Sequence, residues 1–140
     1  MCLTLYIGSD QELKQIEWNI EHPALNAVPL GEFDEKAKVI FSAANLLSIG
    51  SDQGCGCGFR HALVQGDEWL IVEEDDLKET QRNHRELVDY IKNVGGDIEI
   101  YACWNGDIPD EPQSIEEIKI NDILEEDFYF KENGLYRVRV

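Results

Sequence analysis

At 140 residues, with 43% apolar and 29% charged, the chain has the size and composition of one globular domain, 1–140, that buries a core without covalent staples. Its 29 acidic and 12 basic residues leave a net charge of -17. This argues against nucleic acid, where Lys and Arg must neutralise phosphate, and against anionic membrane surfaces. No apolar run reaches the length of a membrane span and no basic-then-apolar leader opens the chain, so a soluble cytoplasmic protein is expected.

Residues 2–8, CLTLYIG, alternate around β-branched and aromatic side chains and predict a strand ending at Gly8. Ser9 and Glu12 have the spacing of a capping box, so a short helix is expected next, broken at His22-Pro23 and Val28-Pro29. Residues 34–44, DEKAKVIFSAA, read as a second, modest helix. LLSIG at 46–50 is the next strand. It runs into Ile49–Gln53, the same IGSDQ that closes the first strand at Ile7–Gln11. The repeat reads as one strand exit used twice: glycine leaves the strand, and Ser and Asp satisfy exposed backbone groups.

Past a glycine-rich loop, FRHALVQ and EWLIVE flank Gly66-Asp67 as the arms of a hairpin. The strongest helix covers about 76–94. Asp76 and Glu79 start it, Leu77, His84, Leu87, Val88, Ile91 and Val94 share one face, and Gly95-Gly96 stops it. DIEIYAC, 97–103, is another strand, followed by an exposed loop over 107–114. IEEIKI reads as a short strand and NDILEED as one helical turn. The C-terminal DFYFKENGLYRVRV reads as a hairpin turning at Asn133-Gly134, with Tyr136, Val138 and Val140 on one side and Arg137 and Arg139 on the other. The fold expected is a single α/β domain: a mixed β-sheet packed by the long helix and shorter helices, closed by a C-terminal β-hairpin.

Four cysteines stand at 2, 55, 57 and 103, in a chain too large to need disulfides. Cys55 and Cys57 lie in GCGCG, residues 54–58, which the second IGSDQ carries and the first lacks. Three readings stay open. With His61 they form C-x-C-x3-H, and Cys103 or His84 would complete a tetrahedral zinc site. As reactive thiols they would draw on Arg60, His61 and the long helix's N-terminus, against the opposing charge of Asp52 and Glu73–Asp76. As packed residues they would form a tight corner of small side chains.

Strand direction decides which sulfurs meet. If the first, second and third strands run parallel, Cys55, Cys57 and Cys103 share an edge and Cys2 is about 20 Å away. If the first runs antiparallel to the others, Cys2 joins that edge. No phosphate-binding glycine fingerprint and no G-x-S-x-G occurs. His84 reads as a core histidine with a satisfied ring nitrogen, and the three tryptophans as core or rim residues.

The function expected is a noncatalytic binding or interaction module, most specifically with zinc at Cys55, Cys57, His61 and Cys103. A thiol-dependent enzyme using Cys55 or Cys57 is the alternative from another class.

Overall fold

A computed structural model of the chain describes residues 3–59, 74–104 and 108–140. The hairpin expected around Gly66-Asp67 lies outside these residues, as do Cys2, Arg60, His61 and Trp69. The first strand, β1 (Leu3–Ser9), alternates as its sequence predicts. Leu3, Leu5 and Ile7 enter one core, and Tyr6 enters another on the opposite face. Strands β2 (Asn26–Val28), β3 (Asn45–Gly50), β4 (Ile98–Trp104), β5 (Ser114–Lys119) and β6 (Gly134–Arg139) complete a six-stranded sheet among the described residues, in the order β2-β3-β1-β4-β6-β5.

Every pairing in this sheet is antiparallel except β5 with β6. A short helix, α1 (Ala37–Ile40), and the long helix, α2 (Glu74–Val94), make up the α-helical content of the described residues. The result is a mixed α/β domain, as expected.

The main core lies between the sheet and α2. Leu87, Val88 and Ile91 of the helix pack with Leu3, Leu5, Ile7, Ile98 and Ile100. Fully burying one such aliphatic side chain contributes about 1.5–3 kcal/mol. The helix stops where predicted: Gly95 and Gly96 take φ of 75° and 74°, and the Gly95 amide donates to the Ile91 carbonyl at 3.1 Å. On the opposite face Tyr6, Phe41, Tyr101, Cys103 and Leu135 form a smaller core. There Tyr6 stacks on Tyr101, and Phe41 meets the Tyr101 ring edge-on.

Three local expectations change under tertiary contact. No helix follows Ser9, because the carbonyls it would need are taken by side chains: Asn45 donates to Gln11 at 2.9 Å and Tyr90 to Lys14 at 2.6 Å. Ile16 then bridges Ala27 at the outer side of β2, a strand the sequence did not suggest. The helix expected over 34–44 shrinks to α1. At Phe41 the backbone turns extended, and the Ser42 and Ala43 amides donate instead to Glu99 Oε1 at 3.0 and 2.9 Å.

The C-terminal strand pair is built differently from the expected hairpin. Asn133 does turn the chain, with φ of 57°, and Tyr136 and Val138 are buried while Arg137 and Arg139 are exposed. However, β6 pairs with β5 in parallel and with β4 antiparallel, so residues 127–130 are not its first arm. Phe128 and Phe130 instead turn inward, meeting each other, His84 and Tyr136 edge-to-face. Burial of these aromatics outweighs the local hairpin signal.

Candidate functional site

The two IGSDQ copies leave their strands by the same device. Ser9 Oγ accepts from the Gln11 amide at 3.0 Å, and Ser51 Oγ accepts from the Gln53 amide at 3.3 Å. Because β1 and β3 are antiparallel, the copies lie at opposite edges of the sheet. The second goes further. Ser51 Oγ also donates to the Cys55 carbonyl at 2.7 Å and accepts from the Gly58 amide at 3.1 Å. One fully buried hydroxyl thus ties both ends of the glycine–cysteine loop.

The loop closes into a 3-10 turn, Gly56–Phe59, lying on the face of the sheet that α2 covers. Gly56 is required here: a Cβ at this position would run into the Leu3 carbonyl, a backbone atom with no room to retreat. Phe59 is buried in the main core. Trp18, half exposed, lies over Gly54 and donates its indole N–H to the Asp52 carbonyl at 3.0 Å. It belongs to the rim, one of the two places foreseen for it.

The buried face of α2 changes character along its length. Leu87, Val88 and Ile91 are apolar, while Thr80, Asn83 and His84, one to two turns earlier, are polar and equally buried. This polar half meets the loop. Asn83 Nδ2 donates to the Gly58 carbonyl and to Asp52 Oδ1, each at 3.1 Å, and its Oδ1 accepts from the Asp52 amide at 3.4 Å. Arg82 closes an ion pair with Asp52. His84 Nε2 donates to the Phe59 carbonyl at 2.8 Å, and its ring stacks on Phe59.

His84 is therefore a core histidine with a hydrogen-bonded ring nitrogen, as its position on the apolar face suggested. Ser51, Asn83 and Trp18 were not anticipated at the site. A signal for Asn83 was present, since a buried helix face that turns polar needs a partner with hydrogen bonds to complete.

The cysteines separate into two groups. Cys55 and Cys57 are partly exposed on the loop. Cys103 is fully buried in β4 among Tyr6, Phe41, Tyr101 and Leu135. Its register partner is Thr4, whereas the Leu3 and Leu5 backbone underlies Gly56 on the other face. The sheet thus lies between Cys103 and the loop. His61 falls outside the described residues.

Strand direction takes the second of the two arrangements considered. β1 runs antiparallel to β3 and β4, so its N-terminal end shares an edge with the start of the glycine–cysteine loop. Cys2, next in sequence, is outside the described residues. Among the described residues no group of three His, Cys, Asp or Glu is arranged to hold a metal ion. No described helix is long and apolar enough to cross a membrane. Comparison with protein-family models, curated proteins and solved structures gives no match to this chain.

Proposed function

We propose that the chain is a noncatalytic binding or interaction module of the cytoplasm, with loop 51–59 as its site. One observation carries this reading. Two partly exposed thiols, Cys55 and Cys57, sit on a loop whose backbone is fixed from beneath by the buried side chains of Ser51 and Asn83. Loops held on rigid elements are where binding residues concentrate, and a preorganised loop loses little entropy when it binds.

Zinc is the sharpest version. Cys55 and Cys57 as thiolates and His61 as a neutral imidazole would supply soft ligands suited to the ion. Cys103, on the far face of the sheet, is a poor fourth ligand, so that position falls to another group of the loop or of a partner. The thiol-dependent alternative has less support, because Arg82, the cation beside the loop among the described residues, is already engaged by Asp52. The net charge of -17 argues against nucleic-acid and membrane partners.

The test is elemental analysis of protein purified without added metal. About one equivalent of zinc, lost together in Cys55→Ser and Cys57→Ser, is the expected result. Metal-free protein with an unchanged unfolding transition would sink the zinc version. The binding reading itself fails if Cys55 or Cys57 alkylates well faster than a model thiol at neutral pH, since that is the signature of an activated nucleophile.

A further inference from the structure

The outermost strand on one side of the sheet is β5. It pairs with β6, and no other strand among the described residues covers its outer edge. After β5 the chain makes a 3-10 turn, Ile120–Leu124, and doubles back along residues 125–131. Between this return and β5 lies a cleft of about 510 Å³. Its apolar surface comes from Ile118, Phe128 and Tyr129, each only partly buried. Its rim is acidic, with Glu116, Asp122, Glu125 and Asp127.

The charges of this cleft are unbalanced. Lys131 is the cation lining it, and its ammonium is bound to Glu116 at 2.9 Å. Asp122 is used locally, accepting from the Lys119 amide at 2.9 Å. Glu125 and Asp127 are exposed and have no ion partner among the described residues. Carboxylates beside half-buried aromatic rings suit one chemistry: a guanidinium or ammonium head for the acids and rings, on an aliphatic stem for the apolar surface.

We propose that this cleft docks an Arg- or Lys-bearing extended segment of a partner protein, laid along the β5 edge with basic and apolar residues alternating. Such a segment adds backbone hydrogen bonds at the strand edge, and alternate side chains enter the cleft. A second copy of this chain does not fit, because two bodies of net charge -17 repel. The same field speeds the approach of a basic partner. The surface is separate from loop 51–59, so neither proposal depends on the other.

The probe is a short fluorescein-labelled peptide alternating Arg and Val, titrated with the full chain and followed by anisotropy. Glu125→Lys with Asp127→Lys should weaken binding at least about tenfold, and Tyr129→Ser about threefold or more. Glu17→Lys with Glu21→Lys, an equal charge change at exposed positions elsewhere, should cost under about threefold. Far-UV circular dichroism checks that each variant is folded. The proposal is overturned if the two double variants weaken binding equally, which marks a diffuse charge effect. It is also overturned if the wild-type chain does not bind the peptide at about 50 mM salt, or if sedimentation shows that the cleft mediates self-association.

Discussion

Removing the hydroxyl of Ser51 and of Ser9 in parallel separates a strand exit from a site anchor. Both serines are fully buried and both accept a hydrogen bond from the amide two residues on, so Ser→Ala deletes the same atom from equally enclosed positions. At Ser9 the amide left behind is that of exposed Gln11, which water can reach. The expected cost is under about 1 kcal/mol. At Ser51 three groups are affected. The Gln53 amide is exposed and rehydrates, and the Cys55 carbonyl keeps its bond from the Ser51 amide at 2.7 Å. The Gly58 amide is buried, and among the described residues the Ser51 hydroxyl is its acceptor.

An orphaned buried N–H costs about 1–3 kcal/mol, so Ser51→Ala should cost about 2 kcal/mol. Urea unfolding of the two variants, with the slope unchanged, reads the difference directly. Native-state alkylation gives a second readout: Cys55 and Cys57 should label faster in Ser51→Ala and not in Ser9→Ala. Equal costs for the two substitutions would refute the anchoring role of Ser51. So would a cost at Ser51 below about 0.5 kcal/mol.

Glu99 supports the second expectation. Its Oε1 accepts from the Ser42 amide, the Ser42 hydroxyl and the Ala43 amide. Glu99→Gln retains an acceptor oxygen and should cost under about 1 kcal/mol in urea unfolding, whereas Glu99→Ala should cost about 1–2 kcal/mol. The third concerns alkaline pH. Burial pushes the Tyr136 hydroxyl up to about 12, and raises Tyr6 and Tyr90 as well. These groups stay protonated in the folded chain while the unfolded chain ionises near pH 10, so their contribution to stability is constant below about pH 10 and falls above it. Tyr136→Phe should make that fall shallower, at a cost of about 1 kcal/mol near neutrality for the lost bond from the Lys131 amide. Stability of both proteins measured from about pH 7 to pH 11.5 checks this, and an identical slope would count against it.

Local signals placed β1, β3, β4 and α2 within a residue or two, because each rests on a periodicity or stop that short peptides already encode. The serine turns were legible for the same reason: Ser and the amide two residues on are neighbours in any fold. The short strand β2 and the loss of a helix after Ser9 were not legible. They depend on Asn45 and Tyr90, which are 34 and 76 residues from the carbonyls they occupy.

Cys103 and the glycine–cysteine loop divide along the same line. By itself, the sequence determined that GCGCG follows a strand and carries two thiols, since that needs only composition and spacing. Strand direction and side-chain parity then decided which groups could meet. Cys103 alternates with Ala102, so it faces the core of Tyr6 and Tyr101 while its neighbour faces α2. Which face the long helix covers is set by packing across the whole sheet, and no local pattern carries it. The tertiary structure alone therefore put Asn83 and Ser51 beneath the loop and placed Cys103 on the far side of the sheet from Cys55 and Cys57.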